Sequence, residues 1–277
     1  MSTLYLVGTP IGNLEDISLR ALRILGEASL IAAEDTRTTG RLLKHYDIQT
    51  PMLSYHEYSG PGRMANLLDA LGRGAVALVS DAGMPGLSDP GYALVSAAIE
   101  AGIRVEPVPG PSAAVAALVS SGLPTDRFLF LGFLPRQKKA RRAALTEAAS
   151  LPFTVVLFEA PHRLLALLED AEELLGDRKL CVGREMTKLH EEMWRGRISE
   201  AREYFGSGKI RGEVTLVIAG SDAEPGKWGE DAVQEALAGE MASGLSRKEA
   251  AAAVAERSGW RRRDIYNLSV KENTVES

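Results

Sequence analysis

Three times within its first 112 residues the chain runs from a short apolar stretch straight into a turn crowded with glycine and proline. Leu4 to Val7 meets Gly8 to Asn13, Ala75 to Ser80 meets Asp81 to Gly91, and Arg104 to Val108 meets Pro109 to Ser112. Helix-like segments separate these units. One is capped by Asp16 or Ser18 and runs to about Leu25, one follows Glu34-Asp35-Thr36-Arg37 to about Tyr46, and one spans about Tyr92 to Ala101. A further strand at Ser29 to Ala33 and an alanine-rich helix opening at Ser112 complete the pattern. Buried strands alternating with helices predict an α/β body with a largely parallel sheet. In such a sheet ligands bind beyond the carboxyl ends of the strands, where these three turns fall.

Gly122-Leu123-Pro124-Thr125 reads as a hinge, so residues 1–121 and 122–221 are expected to form two α/β domains. Strands of the second are expected at Arg127 to Phe133 and near residues 154–158, 179–182, 193–196 and 213–219. Its helices are expected near residues 137–149, 162–175 and 199–205. Residues 222–229 read as a polar linker. Residues 230–277 read as a small helical appendix of helix-turn-helix type, with Ser246 capping one helix and Gly259 ending it.

Composition narrows the function. The single cysteine, Cys181, excludes an intrachain disulfide and a multi-cysteine zinc site, and four scattered histidines predict no metal. Cysteine usage fits a reducing cytoplasm. No apolar run reaches the roughly 18 residues that mark a membrane span, and no secretory signal is visible. The net charge of −5 argues against generic nucleic-acid binding, so any RNA contact falls to local patches. Two such patches exist. Arg136, Lys138, Lys139, Arg141 and Arg142 lie in one run without an acid, and Arg261, Arg262 and Arg263 follow Trp260, a ring that can stack on a base.

The turns fit neither the dinucleotide fingerprint nor a P-loop. Taken in order, six short motifs resemble one family closely. They are Val7 to Leu14, Glu34 to Arg37, Ser80 to Gly91, Pro109 to Ala113, Glu159 to Arg163 and Arg184 to Lys188. The chain from residue 4 to about 220 is similar to the 16S rRNA (cytidine 2′-O)-methyltransferases, a branch of the tetrapyrrole-methylase superfamily. Met84 stands where that family commonly has threonine. The resemblance implies two α/β domains of the tetrapyrrole-methylase type with a cofactor cleft between them, a homodimer, and a 16S rRNA or small-subunit substrate. It implies S-adenosylmethionine as cofactor, held by Pro10, Asp81, Gly83, Met84, Ser112 and Ala113, with weaker expectations for Glu159, Val214 and Thr215.

A ribose hydroxyl is a poor nucleophile at neutral pH, so methyl transfer to it benefits from a general base or a cation beside the forming alkoxide. Lys188, Glu185, Asp35 and Arg37 are the candidates. Lys188 serves as a base only if its surroundings lower its pKa. For Asp35 and Arg37 a surface capping and salt-bridge cluster is the plain alternative. Three rivals stay open: a methyltransferase acting on a tetrapyrrole, a protein-directed relative of the diphthine-synthase kind, and a non-catalytic nucleic-acid-binding regulator built on the C-terminal helices.

Overall fold

The computed structural model describes residues 2–56, 58–221 and 228–272. The chain divides into two compact bodies. Met1–Leu145 with Thr154–Ala219 forms the first, and Thr146–Phe153 with Gly220–Ser277 the second.

The first body holds two five-stranded sheets. The first is built from β1 (Thr3–Val7), β2 (Leu30–Ala33), β3 (Met52–Ser54), β4 (Val76–Val79) and β5 (Arg104–Val108) in the order β3-β2-β4-β1-β5. Every pairing in it is parallel. Successive side chains of a strand point to opposite faces, and β4 shows why its VALV run must be apolar throughout. Ala77 and Val79 enter the core formed with α1 (Leu19–Glu27) and α2 (Thr36–His45). Val76 and Leu78 enter the opposite core, formed with α3 (Pro61–Arg73) and α4 (Tyr92–Glu100).

This division fixes the functional edge. The helices that follow β1 and β2 cover one face, whereas the helix that follows β4, which lies between them, covers the other. Connections diverging from adjacent strands leave a crevice at the carboxyl ends of β1, β2 and β4. The turns after β1 and β4 are zipped across it by a two-residue bridge: Thr9 N donates to Gly83 O at 2.9 Å and Gly83 N to Thr9 O at 3.0 Å. The turn after β5 lies against the same place. A Cβ on Gly8 would stand 2.7 Å from Gly110 Cα, and one on Gly110 would stand 2.8 Å from Gly8 Cα, so backbone touches backbone where no side chain fits.

The second sheet comprises β6 (Phe128–Phe133), β7 (Thr154–Glu159), β8 (Lys179–Arg184), β9 (Glu192–Arg197) and β10 (Val214–Ile218), in the order β6-β7-β10-β8-β9. Only β6 and β7 run parallel; the other pairings are antiparallel. Helix α5 (Ala113–Ser120) leaves the first sheet after β5 and packs Ala114, Ala117 and Leu118 against Val156, Cys181 and Val217 of the second. One helix thereby ties the carboxyl edge of the first sheet to a face of the second. Helices α6 (Lys138–Ala149), α7 (Leu164–Leu175) and α8 (Ile198–Gly206) complete this part of the chain.

In the second body α9 (Glu230–Ala242), α10 (Arg247–Ser258) and α11 (Arg262–Glu272) bury Val233, Leu237, Ala250, Ala251, Val254 and Ile265. Ser246 and Glu249 cap α10 reciprocally, and Gly259 closes it at φ 67°. Residues 222–227 of the expected linker and 273–277 of the expected appendix lie outside the described residues.

The stretch 47–74, for which the sequence pattern yields no element above, holds β3 and α3. Strand β3 has three half-buried residues and no clear period; α3 has Pro61 in its first turn and buries Leu67 and Leu71, but no side-chain cap announces it.

Candidate active site

A cleft of about 460 Å³ opens between the two sheets of the first body. Asp81, Gly83 and Met84 line it from the turn after β4, and Ser112 and Ala113 line it from the start of α5. Glu159, Val214 and Thr215 line it from β7 and β10, where Glu159 and Val214 are register partners. Eight of the nine residues expected to hold the cofactor therefore meet in one space. The ninth, Pro10, does not line this cleft; it faces an adjacent cavity, while its neighbour Ile11 faces the cleft.

Several polar groups here are left open for a ligand. Glu159 has a fully buried side chain whose Oε1 pairs with Arg163 Nε at 3.1 Å and accepts from Ala160 N at 2.8 Å. Its Oε2 is buried with no hydrogen-bond partner among the described residues. An unpaired buried carboxylate oxygen is costly, so it marks a place where a donor belongs. Ser112 holds the N-cap position of α5 without a side-chain capping bond, which leaves its hydroxyl available. The opposing wall is apolar, with Ile11, Leu87, Phe133 and Phe158; the two phenylalanine rings lie 5.5 Å apart.

Besides Glu159, four carboxyl groups line the cleft: Glu34, Asp81, Asp89 and Glu213. Burial raises the pKa of Asp89 to about 6, with the charge of Glu34 adding to it. Burial also raises Glu34 and Asp81. The set is cross-linked: Asp81 Oδ1 accepts from Asp35 N at 3.2 Å, and Asp81 N donates to Glu34 Oε2 at 3.2 Å.

None of the four catalytic candidates read from the sequence lines the cleft. Asp35 and Arg37 form an ion pair at 2.6 Å and line no part of the cleft. The Arg37 guanidinium holds Asp35 down at about 2, which makes it a poor base. Burial pulls Lys188 down, but Glu185 at 2.9 Å and Glu213 at 3.3 Å outweigh it and leave its pKa above the ordinary lysine value. Lys188 is thus a cation rather than a base. Glu185 is held ionised, chiefly by its bond from Lys188. Asp89, which sequence reasoning passed over inside the Ser80 to Gly91 motif, has the pKa suited to proton transfer near neutrality. Its only sequence signal was a carboxylate within a glycine-rich turn.

The basic patches also divide. Arg136, Lys138 and Lys139 are exposed, as are Arg261, Arg262 and Arg263. Arg141 is 7% exposed and bonded to buried Asp170 at 2.6 Å, so it is a core ion pair and not a surface cation. Arg142 bonds Asp170 and Glu173. Trp260 packs against the helical core and donates Nε1 to Trp228 O at 2.7 Å, which removes much of its face from stacking. Among the described residues no group of three His, Cys, Asp or Glu is placed to hold a metal, and no helix is long and apolar enough to cross a membrane.

Asp89 carries a stability prediction. Between about pH 4 and 6 the folded chain binds a proton there that the unfolded chain does not, so stability falls as pH rises through that window. Asp89→Asn removes the penalty. The variant is expected to be more stable than the parent by about 1 kcal/mol at pH 8, discounted for partial exposure, and no different at pH 4. Thermal unfolding at both pH values checks this; an equal offset at both would discard the charge as its cause.

A two-sheet α/β body with a carboxylate-lined cleft at the switch point is the frame of a methylase. The family model for Tetrapyrrole (Corrin/Porphyrin) Methylases matches residues 3–202, and the chain belongs to that family. Curated relatives within it share about half of this chain's residues. The ribosomal RNA small subunit methyltransferase I of Synechocystis sp. is 49% identical over 98% of each chain. That of Thermotoga maritima is 50% identical over 80% of this chain and 100% of its own. Among solved structures, uroporphyrin-III C-methyltransferase from Thermus thermophilus complexed with S-adenyl homocysteine superposes with a TM-score of 0.56. It is 22% identical and covers 78% of this chain and 97% of its own.

Proposed function

We propose that this protein methylates the ribose 2′-hydroxyl of a cytidine in 16S rRNA, near the decoding centre, with S-adenosylmethionine as donor. The observation that carries the reading is near full-length similarity to a ribosomal RNA small subunit methyltransferase I, in a chain whose cleft has the polar groups the donor needs. When bound, S-adenosylmethionine supplies a methyl on a positively charged sulfur. Glu159 Oε2, the Ser112 hydroxyl and the Ala113 N–H would hold its polar ends. The carboxylates of Glu34, Asp81, Asp89 and Glu213 favour a cationic ligand, and Phe133 and Phe158 offer it apolar contact. Asp81 and Asp89 are the groups positioned to accept the proton of the acceptor hydroxyl.

Arg136, Lys138, Lys139 and Arg261 to Arg263 support contact with RNA phosphates. We read residues 1–121 and 122–221 as the two methylase domains and residues 230–277 as a positioning appendix. A fifth of the chain has no counterpart in the Thermotoga relative, so the chemistry belongs to the methylase domains. The exposed apolar residues Val115, Val119 and Phe128 support a homodimer, and a ribosomal substrate supports a cytoplasmic location.

Isotope-labelled donor tests the reading. Label is expected in 16S rRNA of small subunits and resistant to alkaline cleavage at one cytidine. Label in a uroporphyrinogen instead would transfer the protein to the tetrapyrrole enzymes. Label in neither, at saturating donor, would remove the activity altogether.

A further inference from the structure

A second cavity, of about 200 Å³, lies on the other side of the β1 turn. Its polar lining comprises four hydroxyl residues (Thr9, Thr38, Thr39 and Ser80), the carboxylate of Asp81 and the cation of Arg41. Asp81 also lines the main cleft, and it is the residue the two spaces share. Thr39 is 3% exposed, and its Oγ1 is buried with no hydrogen-bond partner among the described residues. A buried hydroxyl normally bonds, so an unpaired one in a cavity wall points to a polar occupant. The Thr9 hydroxyl is already engaged with Ser80 O at 3.2 Å and the Ser80 hydroxyl with Ala82 O at 3.3 Å, so Thr38, Thr39, Arg41 and Asp81 are the polar residues of the lining left for such an occupant.

Size and lining choose its chemistry. The space is smaller than the roughly 300–1,000 Å³ of a drug-sized ligand site, so neither the cofactor nor a whole nucleotide fits. It has no aromatic lining residue on which a base could stack. Hydroxyls and one carboxylate match a sugar ring. Arg41 is exposed and makes no ion pair among the described residues, which suits a flanking phosphodiester.

We infer that this cavity is the acceptor subsite, taking the ribose of the target nucleotide with Thr39 on a sugar hydroxyl, Arg41 on an adjoining phosphate, and Asp81 at the wall shared with the donor cleft. The inference rests on the ribose-methylation reading and adds where the acceptor sits. It also gives Pro10 a place: the proline belongs to the acceptor side of the turn and Ile11 to the donor side.

Thr39→Val is isosteric and removes only a hydroxyl that no described residue bonds, so folding is expected to survive. With undermethylated small subunits as substrate, KM is expected to rise about tenfold, with the Kd for S-adenosylmethionine within twofold of the parent. Thr39→Ser is expected to restore KM. Thr38→Phe, which fills the cavity, is expected to raise KM further, again with donor affinity intact. Unchanged KM in both Thr39→Val and Thr38→Phe overturns the subsite. So does a loss of donor affinity matching the loss of activity, which would assign the cavity to the cofactor. A parent protein that binds donor yet labels no subunit refutes the ribose reading itself, a result separable from either.

Discussion

Asp81→Ala is expected to lower kcat/KM for methyl transfer to small subunits by roughly 10²- to 10⁴-fold, the range that loss of a general base commonly costs. Asp81 opens the turn after β4, lines both the donor cleft and the smaller cavity beside it, and is the carboxylate the two linings share. Its side chain accepts one backbone hydrogen bond, from Asp35 N. The structural loss is therefore confined to about one hydrogen bond, on the order of 1 kcal/mol. Asp81→Asn keeps an acceptor for that bond and is expected to fold as the parent does while remaining nearly inactive. Steady-state rates with a melting curve on each variant separate the two effects. Turnover within fivefold of the parent in both variants would take Asp81 out of the chemistry.

Glu159→Gln is expected to weaken S-adenosylmethionine binding by about 10- to 100-fold, the worth of a charge-assisted hydrogen bond of roughly 1.5–3 kcal/mol. Gln keeps the volume, and its amide oxygen can still serve Arg163 and Ala160. What changes is the second oxygen, buried and now unpartnered among the described residues, which becomes an N–H₂ donor. Arg163 keeps its bond to Leu134 O at 2.9 Å, which limits the cost to folding. Titration calorimetry reads the result; parental affinity would mean that the open oxygen serves no ligand.

The site was legible in parts. The motifs predicted which turns surround the cleft, and eight of the nine expected cofactor residues do line it. Which acidic and basic groups of those motifs face the cleft was not legible, for a physical reason. Adjacent residues such as Glu34 and Asp35 have equal standing in a sequence, yet Glu34 faces the cleft while Asp35 turns outward to cap α2 and pair with Arg37. Likewise the ionisation of Lys188 depends on Glu213, 25 residues away in the chain and brought to 3.3 Å by the pairing of β8 with β10. Arg141 looked like any other cation of its run, but α6 turns it inward onto Asp170.

By itself the sequence determined the alternation of buried strands and helices, the rigid turns at the strand ends and the cap at Ser246, because these follow from local periodicity and backbone chemistry. Tertiary structure alone decided which carboxyl groups share the cleft, which hydroxyl is left without a partner and which cations are neutralised. Those properties depend on burial and on contacts between segments far apart in the chain, and a carboxyl group's pKa is set by what the fold brings beside it.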